Sequence, residues 1–540
     1  MIVTQQNCMT EWHFSSGMPY TDPFNDLTLD FLVTDPDGDE RRVPAFWSGE
    51  ATWRVRYASP KLGTHTWHSE SSDPSNPDLH GKNGEVGVVA YEGTNPLMRR
   101  GPLKVAESGR FLEHLDGTPF FWLADTWWMG LCDRLGWPGD FQTLTADRVR
   151  KGFSVVMTVA GLYPDMRWRD PRQVNEAGYP WTEDFSRINP DYFDLADLRI
   201  HHLVRSGLMP CIFACWGYYL PWMGIDRMKQ HWRYLVARYG AYPVVWCLTG
   251  EASFPFYLSE NRESDERFQI RGWTEMAEYL REIDPYGRPA TVHPSGPGGS
   301  ADDVEGMSDI DINMLQTGHA DRVSLPDTLR IVTEGYQSTP PKPVINGEVT
   351  YEGLAEANRQ EVQRWMFWLC MLSGAAGHSY GANGIWQVNG KDAPYGKSPR
   401  GQSWGDTPWE DGYRLPGSEQ LGLAKRLLEG YRWWAFEPRP DWVEHAATVG
   451  EVHGAYAARI PREVRFVYVP GEVSARGLRV WRMEMKGLEA DVQYRALLFN
   501  PVNGHEEDLG PVEADQEGRW RPPWSRPPAF QDWIVVLEAQ

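Results

Sequence analysis

Residues 243–251 read PVVWCLTGE, and residues 342–348 read KPVINGE. Each segment is a short apolar run that closes on Gly-Glu, so each predicts a buried strand with a glutamate at its carboxyl end. The two glutamates, Glu251 and Glu348, are 97 residues apart (348 − 251). That spacing equals three strand–helix units of about 32 residues, the pitch expected of an eightfold barrel. The two segments therefore predict a parallel sheet that carries both glutamates at the same end.

Further strand-like runs alternate with amphipathic helical segments on both sides of these two, between about residues 110 and 430. This alternation is typical of a (β/α)₈ TIM barrel, in the α/β class. Glu251 and Glu348 then end strands 4 and 7, which face each other across the barrel mouth. In chain order the eight candidate strands are FFWLAD (120–125), FSVVMTVA (153–160), LMPCIFACW (208–216), PVVWCLTGE (243–251), PATVHP (289–294), INMLQTG (312–318), KPVINGE (342–348) and AGHSYGANGIW (376–386).

The chain has a different pattern on either side of this region, where short alternating strands are separated by turn residues. A length of 540 residues also exceeds what one hydrophobic core normally supports. We therefore predict three domains: an N-terminal β-sandwich over 1–97, the catalytic barrel over 98–430 and a C-terminal β-sandwich over 431–540. The two sandwiches offer surfaces through which the chain could form a homo-oligomer.

Charge and composition exclude several classes of function. A net charge of −21 repels nucleic acid and anionic membranes. The first residues have no basic segment followed by an apolar one, and no later window approaches 18 apolar residues, so we expect a cytoplasmic protein. The six cysteines are scattered and predict neither disulfides nor a metal site. We find no nucleotide-binding, zinc-protease or serine-hydrolase motif, and no cofactor is predicted.

Two carboxylates that face each other across a barrel mouth suit the cleavage of a glycosidic bond. One carboxylic acid protonates the departing oxygen while the other carboxylate meets the anomeric carbon, and a separation of about 5–5.5 Å implies a covalent intermediate with retention. We assign Glu251 as the acid/base and Glu348 as the nucleophile. Taken alone, either residue is more typical of a solvated loop or first-turn residue beside the helix dipole. Their matching contexts favour the catalytic interpretation.

Other polar and aromatic residues lie at predicted strand ends or in the enlarged loops after strands 2, 4 and 8, on the face where barrel enzymes place their sites. Asp125 could accept hydrogen bonds from sugar hydroxyls or cap a helix. Trp127 or Trp128 could form a stacking floor for a sugar ring. The remaining candidates for substrate binding, each of which could instead be structural, are Trp216, Tyr218, His293, Gln316, His319, His378, Tyr380 and Trp386.

Three motifs in this chain resemble the apiosidase-like glycoside hydrolases, the DUF4038 group that includes family GH140. They are FFWLADTWW and the strands that end in TGE251 and NGE348. The segment FWSGEATWRVRYASPKLGTHTW resembles the DUF5060 sandwich, and ALLFNPVNGHEEDLG with FQDWIVVLE resembles the collagen-binding-like sandwich of such proteins. The resemblance implies an exo-acting barrel enzyme with catalytic carboxylates at Glu251 and Glu348.

One position departs from that family pattern. Strand 4 commonly ends in Gly-Gly-Asp in apiosidase-like members, whereas here it ends in Thr-Gly-Glu251. The longer side chain moves the carboxyl group, so the sugar of the substrate could be a different pentofuranoside or a pyranoside as well as an apiosyl group. We therefore predict a retaining, exo-acting glycoside hydrolase, with or without transglycosylation, that acts on an oligosaccharide or glycan side chain. The alternatives are a carbohydrate-binding protein without catalysis and an inverting glycosidase.

Overall fold

The computed structural model describes residues 1–471, 483–523 and 530–540. At its centre is a curled nine-stranded sheet in which all eight predicted barrel strands occur, with shorter bounds. They run parallel in the spatial order 5-4-3-2-1-8-7-6, and Gly298–Gly299 pairs antiparallel with strand 6 at the edge. Barrel strands 1 to 8 are Trp122–Thr126, Val155–Val159, Met209–Phe213, Val245–Cys247, Ala290–Thr291, Asn313–Gln316, Val344–Glu348 and Gly377–Tyr380.

The sheet does not close into a full barrel, which corrects the predicted eightfold closure. Strand 5 has only two residues, and in the described chain no ladder joins it to strand 6. The Ser300 hydroxyl lies in this seam, where it donates to the Val292 carbonyl (2.6 Å) and accepts from the Met314 amide (2.9 Å). The Ser300 side chain therefore bonds to the backbone just after strand 5 and to the backbone of strand 6. These bonds replace the ladder hydrogen bonds that direct pairing of the two strands would supply.

Helices follow seven of the eight strands, while strand 5 is followed by the 3₁₀ turn Ser300–Asp302. Their apolar faces pack on the sheet; in Pro190–Arg205, for example, Asn189 caps the first turn and Phe193 and Ile200 are fully buried. No helix in the described ranges has the length and apolar content needed to cross a membrane. The helices of the structure are Pro23–Asp26, Pro96–Arg100, Gly139–Arg150, Pro190–Arg205, Tyr219–Met223, Ile225–Tyr239, Arg262–Ile283, Leu325–Gln337, Gln360–Leu372, Trp409–Gly412 and Pro416–Glu429.

The N-terminal region forms two sheets that face each other. Trp12 stacks on Trp67 with ring centroids 5.6 Å apart, and Phe14 lies 5.4 Å from Phe31, so aromatic rings fill the space between the sheets. The five-stranded sheet contains Ile2–Gln5, Asn83–Val89, Gly63–Ser71, Leu29–Thr34 and Glu40–Pro44, and the three-stranded sheet contains Thr10–Ser15, Thr52–Tyr57 and Phe46–Trp47. A small sheet of Leu103–Val105, Leu112–His114 and Pro119–Phe120 leads into the barrel.

The C-terminal region contains a six-stranded sheet whose two faces pack against different parts of the chain. One face packs on the barrel helix Gln360–Leu372, where Trp368 stacks on Tyr468 with centroids 6.3 Å apart. The other face forms a separate core that includes Met485 and Trp520, which pair with each other outside the sheet. In spatial order the strands are Glu437–Pro438, Tyr456–Ile460, Val464–Val469, Trp533–Ala539, Tyr494–Phe499 and Glu506–Pro511. The domain boundaries at residues 97 and 430 stay predictions.

Candidate active site

Glu251 follows strand 4 in a conformation that its neighbours impose. Its φ of +45° lies in the left-handed region, which non-glycine residues rarely adopt outside functional sites. A side chain on the preceding residue, Gly250, would come within 2.3 Å of the Trp216 ring. The Gly250 carbonyl also accepts a 2.7 Å hydrogen bond from the Gly217 amide. The glycine before the glutamate is therefore needed because an indole ring packs directly against the backbone there.

The carboxyl group of Glu251 accepts two hydrogen bonds from other strand ends. Trp216 Nε1 donates to Oε2 at 3.0 Å, and Gln316 Nε2 donates to Oε1 at 3.3 Å. Burial raises the pKa of Glu251, and the negative charge of Glu348 raises it further, so these two bonds lower it without cancelling the shift. Glu251 thus stays protonated to a higher pH than an ordinary glutamate, as a general acid must.

Glu348, the last residue of strand 7, has the opposite electrostatic environment. His319 Nε2 donates to Oε1 at 2.8 Å, and His293 Nε2 lies 2.8 Å from Oε2. Burial alone would raise the pKa of Glu348, but the two histidines outweigh it and hold the pKa well below its usual range. The Glu348 carboxylate is therefore ionised throughout the neutral range.

Tyr351 and Trp128 form the floor beside Glu348. Trp128 Nε1 donates to Tyr351 Oη at 3.1 Å, and the Tyr351 and His319 rings lie 4.8 Å apart. Burial raises the pKa of Tyr351, as does the charge of Glu348, so the phenol keeps its proton. A neutral hydroxyl group and an indole ring thus lie beside the nucleophile candidate.

Both glutamates border one pocket with about 880 Å³ of empty space, part of it open to solvent. Aromatic side chains make up much of its wall, and such faces stack on sugar rings. The enlarged loops after strands 2, 4 and 8 contribute to the wall, as predicted from the sequence. The lining residues are Trp128, Pro164, Asp165, Trp216, Glu251, Phe254, Tyr257, His319, Glu348, Tyr351, Leu354, Trp386, Ser398, Arg400, Gln402 and Trp404.

Six of the eleven residues predicted to bind substrate lie at this site. Trp128, Trp216, His319 and Trp386 line the pocket. The other two contact the carboxylates from the barrel interior: Gln316 bonds to Glu251, and the fully buried His293 lies against Glu348. The five that lie elsewhere are Asp125, Trp127, Tyr218, His378 and Tyr380.

Asp125 and Trp127 belong to a buried ion-pair cluster rather than to the pocket. Asp125 Oδ2 accepts from Arg148 Nε at 2.5 Å and from Trp127 Nε1 at 2.7 Å, and all three side chains are fully buried. The helix that follows begins only at Gly139, so Asp125 does not cap it either. Both interpretations of Asp125 from the sequence are corrected because the carboxylate neutralises an arginine of that helix.

The other three residues are structural for similar reasons. Tyr218 Oη donates to the carbonyls of Tyr163 and Met166, at 3.1 and 3.3 Å, behind the pocket wall. Tyr380 Oη donates to Glu352 Oε2 at 2.6 Å. His378 is fully buried with its ring 5.4 Å from that of Phe367. These positions correct the prediction that the three residues contact substrate.

Sequence reasoning missed several residues of the pocket wall. Asp165, Tyr257 and Trp404 come from the enlarged loops after strands 2, 4 and 8 respectively, and Tyr351 follows Glu348 by three residues. The loop lengths indicated that these segments form walls. The choice of residues within them depends on contacts such as that of Trp404 with Asp165, which are 239 residues apart.

Two family models match this chain. A family model described as "Apiosidase-like, catalytic domain" matches residues 106–435, and a domain of unknown function, DUF5060, matches residues 5–72. No curated protein matches the chain.

Solved structures share the fold. One, named "Glycoside hydrolase", has a TM-score of 0.66 at 22% identity and covers 83% of this chain and 98% of its own. A family 5 glycoside hydrolase from Bacteroides vulgatus ATCC 8482 has the same score and identity and covers 83% of this chain and 94% of its own. Another protein of that organism covers 100% of both chains with a TM-score of 0.71 at 15% identity. Since the family model spans more than half of the sequence, the chain belongs to the apiosidase-like family and is a glycoside hydrolase.

Proposed function

We propose that the protein is a retaining, exo-acting glycosidase in which Glu348 is the nucleophile and Glu251 the acid/base. The observation that carries this proposal is that two carboxyl groups on one pocket have opposite surroundings: Glu251 accepts from an indole and an amide, whereas Glu348 lies against two imidazole rings. These contacts leave the pKa of Glu251 raised and that of Glu348 lowered. Pairs of titratable groups whose environments separate their pKa values are typical of acid and nucleophile pairs.

The reaction takes place in two displacements. In the first, a Glu348 oxygen attacks the anomeric carbon while Glu251 gives its proton to the glycosidic oxygen, so the bond to the leaving group breaks and a glycosyl ester forms. In the second, the Glu251 carboxylate takes a proton from water, and the hydroxide oxygen displaces Glu348 from the anomeric carbon. The sugar leaves with its original configuration, and both glutamates return to their starting states.

The surroundings of Glu348 favour this route over inversion. An inverting enzyme needs a general base to remove a proton from water, and a base works best when its pKa lies near the working pH. The histidines beside Glu348 hold its pKa far below that range, which makes it a poor base. A low pKa suits a group that must form an ester and then leave from it.

The substrate we propose is a terminal glycosyl unit of an oligosaccharide or glycan side chain. Residues of three enlarged loops line the site, which supports exo action because such walls leave less room for a glycan that continues past it. Membership of the apiosidase-like family supports a pentofuranosyl unit. The strand 4 ending Thr-Gly-Glu251 leaves a pyranosyl unit as the alternative.

The test compares wild-type protein with Glu251→Gln and Glu348→Gln on 4-nitrophenyl glycosides of pentofuranoses and pyranoses. We expect Glu251→Gln to lose about 10²–10⁴-fold in kcat, as is usual for removal of an acid/base group, and Glu348→Gln to lose at least as much. A 2,4-dinitrophenyl leaving group needs no proton, so it should restore the first step of Glu251→Ala but not of Glu348→Ala.

Glu260→Gln is the matched control, because Glu260 is an exposed glutamate in the loop after strand 4. It should retain wild-type turnover. Wild-type rates in both site variants would refute the assignment. Tight sugar binding without any released sugar in the wild type would instead identify a carbohydrate-binding protein.

A further inference from the structure

Asp165 is a third acidic residue in the pocket wall, and one of its oxygens accepts no hydrogen bond of normal geometry. Only 3% of the residue is exposed. Trp404 Nε1 donates to Oδ2 at 3.0 Å and the Tyr257 hydroxyl also lies close to the carboxyl group, while no hydrogen bond of normal geometry reaches the buried Oδ1. A buried polar atom without a partner destabilises the free protein, so native structures rarely retain one unless a ligand or water satisfies it.

The backbone around Asp165 is fixed on both sides. Tyr395 Oη donates to the Pro164 carbonyl at 3.2 Å, and Tyr218 Oη donates to the Met166 carbonyl at 3.3 Å. Asp165 itself has a φ of +60°, in the left-handed region. Strain of this kind persists where surrounding contacts determine the conformation, and it is concentrated at ligand-binding positions. These contacts therefore hold the carboxyl group in one place before substrate arrives.

The protonation state of Asp165 suits a neutral partner. Burial raises its pKa to about 7, although Trp404, Arg172 and Tyr257 act in the opposite direction. Near neutral pH the group can therefore accept a hydrogen bond as a carboxylate or donate one as an acid. A sugar hydroxyl, which both donates and accepts, can satisfy either form.

We propose that Asp165 determines specificity by binding, with its carboxyl group, a hydroxyl group of the sugar in the pocket. The inference rests on the proposed function, because it places that sugar between Glu251 and Glu348. The substrate is then a glycosyl unit that carries a hydroxyl group where it meets the wall formed by Asp165, Tyr257 and Trp404. Asp165 takes no part in bond cleavage.

The experiment measures kcat/KM for wild type and Asp165→Ala on the best 4-nitrophenyl glycoside and on its monodeoxy analogues. We expect Asp165→Ala to lose roughly 10–100-fold on the parent glycoside, as for a hydrogen bond to a charged or buried group. For one monodeoxy analogue, wild-type kcat/KM should be lower than for the parent glycoside by a similar factor. With Asp165→Ala, the same analogue should be cleaved little more slowly than the parent glycoside. Asp165→Asn, whose side chain tolerates the left-handed backbone, checks that any loss is not a folding defect.

Leaving-group dependence separates a binding role from a catalytic one. The loss in Asp165→Ala should be equal for 4-nitrophenyl and 2,4-dinitrophenyl glycosides, whereas loss of a proton donor would disappear with the second. Glu183→Gln, at an exposed glutamate of the same loop, is the matched control and should behave as wild type.

Each outcome has one meaning. The inference would be overturned if, for every deoxy analogue, the loss of kcat/KM from Asp165→Ala and the loss from the missing hydroxyl group were fully additive. It would also be overturned if the better leaving group restored the activity of Asp165→Ala. In either case the proposed function would stand if Glu348→Gln remained inactive. If Glu348→Gln kept wild-type turnover, or the wild type cleaved no glycoside, the proposed function would fail first.

Discussion

At the residue scale, the pKa values of Glu251 and Glu348 are shifted in opposite directions because the two carboxyl groups contact different side chains. Glu251 accepts from neutral groups, an indole and an amide, which offset only part of the effect of burial. Glu348 lies against two imidazole rings. Burial opposes a charge on the His319 ring, but the hydrogen bond and the charge of Glu348 raise the pKa of His319. Two chemically identical side chains therefore have pKa values shifted in opposite directions in one pocket.

Replacing His319 by alanine should move the acidic limb of the pH profile. Without this partner the pKa of Glu348 rises, so a larger fraction of the nucleophile is protonated at low pH. We expect the acidic limb of kcat/KM to shift to higher pH, while the alkaline limb, where Glu251 loses its proton, stays close to its wild-type position. Profiles of wild type and variant on one aryl glycoside measure both limbs. An unchanged acidic limb would show that His319 does not control Glu348.

At the element scale, strand 1 is tied to the helix that follows it by a buried ion pair. Asp125 and Arg148 are both fully buried and contact at 2.5 Å. Breaking a buried pair by removing one partner leaves an uncompensated charge, which costs about 3–5 kcal/mol. We expect Arg148→Ala to lower the free energy of unfolding by about that amount in urea denaturation.

Arg150, on the same helix, provides the comparison for that prediction. Its side chain is 60% exposed, although it pairs with Glu419 and Asp147. Exposed pairs contribute about 0–1 kcal/mol, so Arg150→Ala should change the unfolding free energy by no more than this. A loss in Arg148→Ala as small as that in Arg150→Ala would contradict this prediction.

At the scale of the whole molecule, a buried charge cluster joins the N-terminal sheets to the barrel. Asp197, on helix Pro190–Arg205, contacts Arg56 of the strand Thr52–Tyr57 and Arg238 of helix Ile225–Tyr239, the latter at 2.8 Å. Burial would raise the pKa of Asp197, but the two guanidinium groups lower it to about 2. The N-terminal region is therefore held by a charge that must stay ionised.

This cluster makes stability depend on pH in a defined direction. A carboxyl whose pKa is depressed on folding stabilises the protein above its unfolded pKa, here 3.8, and that contribution is lost as pH falls towards about 2. The contribution at neutral pH is roughly 2 kcal/mol. We expect Asp197→Asn to be less stable than wild type at pH 7 in urea, with a difference that shrinks between pH 4 and pH 2. A difference independent of pH would contradict this.

Local sequence patterns predicted the strands and the two Gly-Glu ends, because apolar runs and strand-end glutamates are readable from neighbouring residues. They failed where a partner is distant. A carboxylate at the end of strand 1 looks the same whether it faces a pocket or, like Asp125, a buried arginine 23 residues later. The open seam at Ser300 and the placement of Asp165 beside Trp404 likewise depend on contacts that no single segment contains.

The most direct test of the central claim is the configuration of the sugar at the moment of its release. Proton NMR can follow hydrolysis of the best aryl glycoside at short times, before the free sugar equilibrates between anomers. Double displacement through Glu348 predicts that the first anomer to appear has the configuration of the substrate. First release of the opposite anomer would contradict the account, because it would mean a single displacement by water.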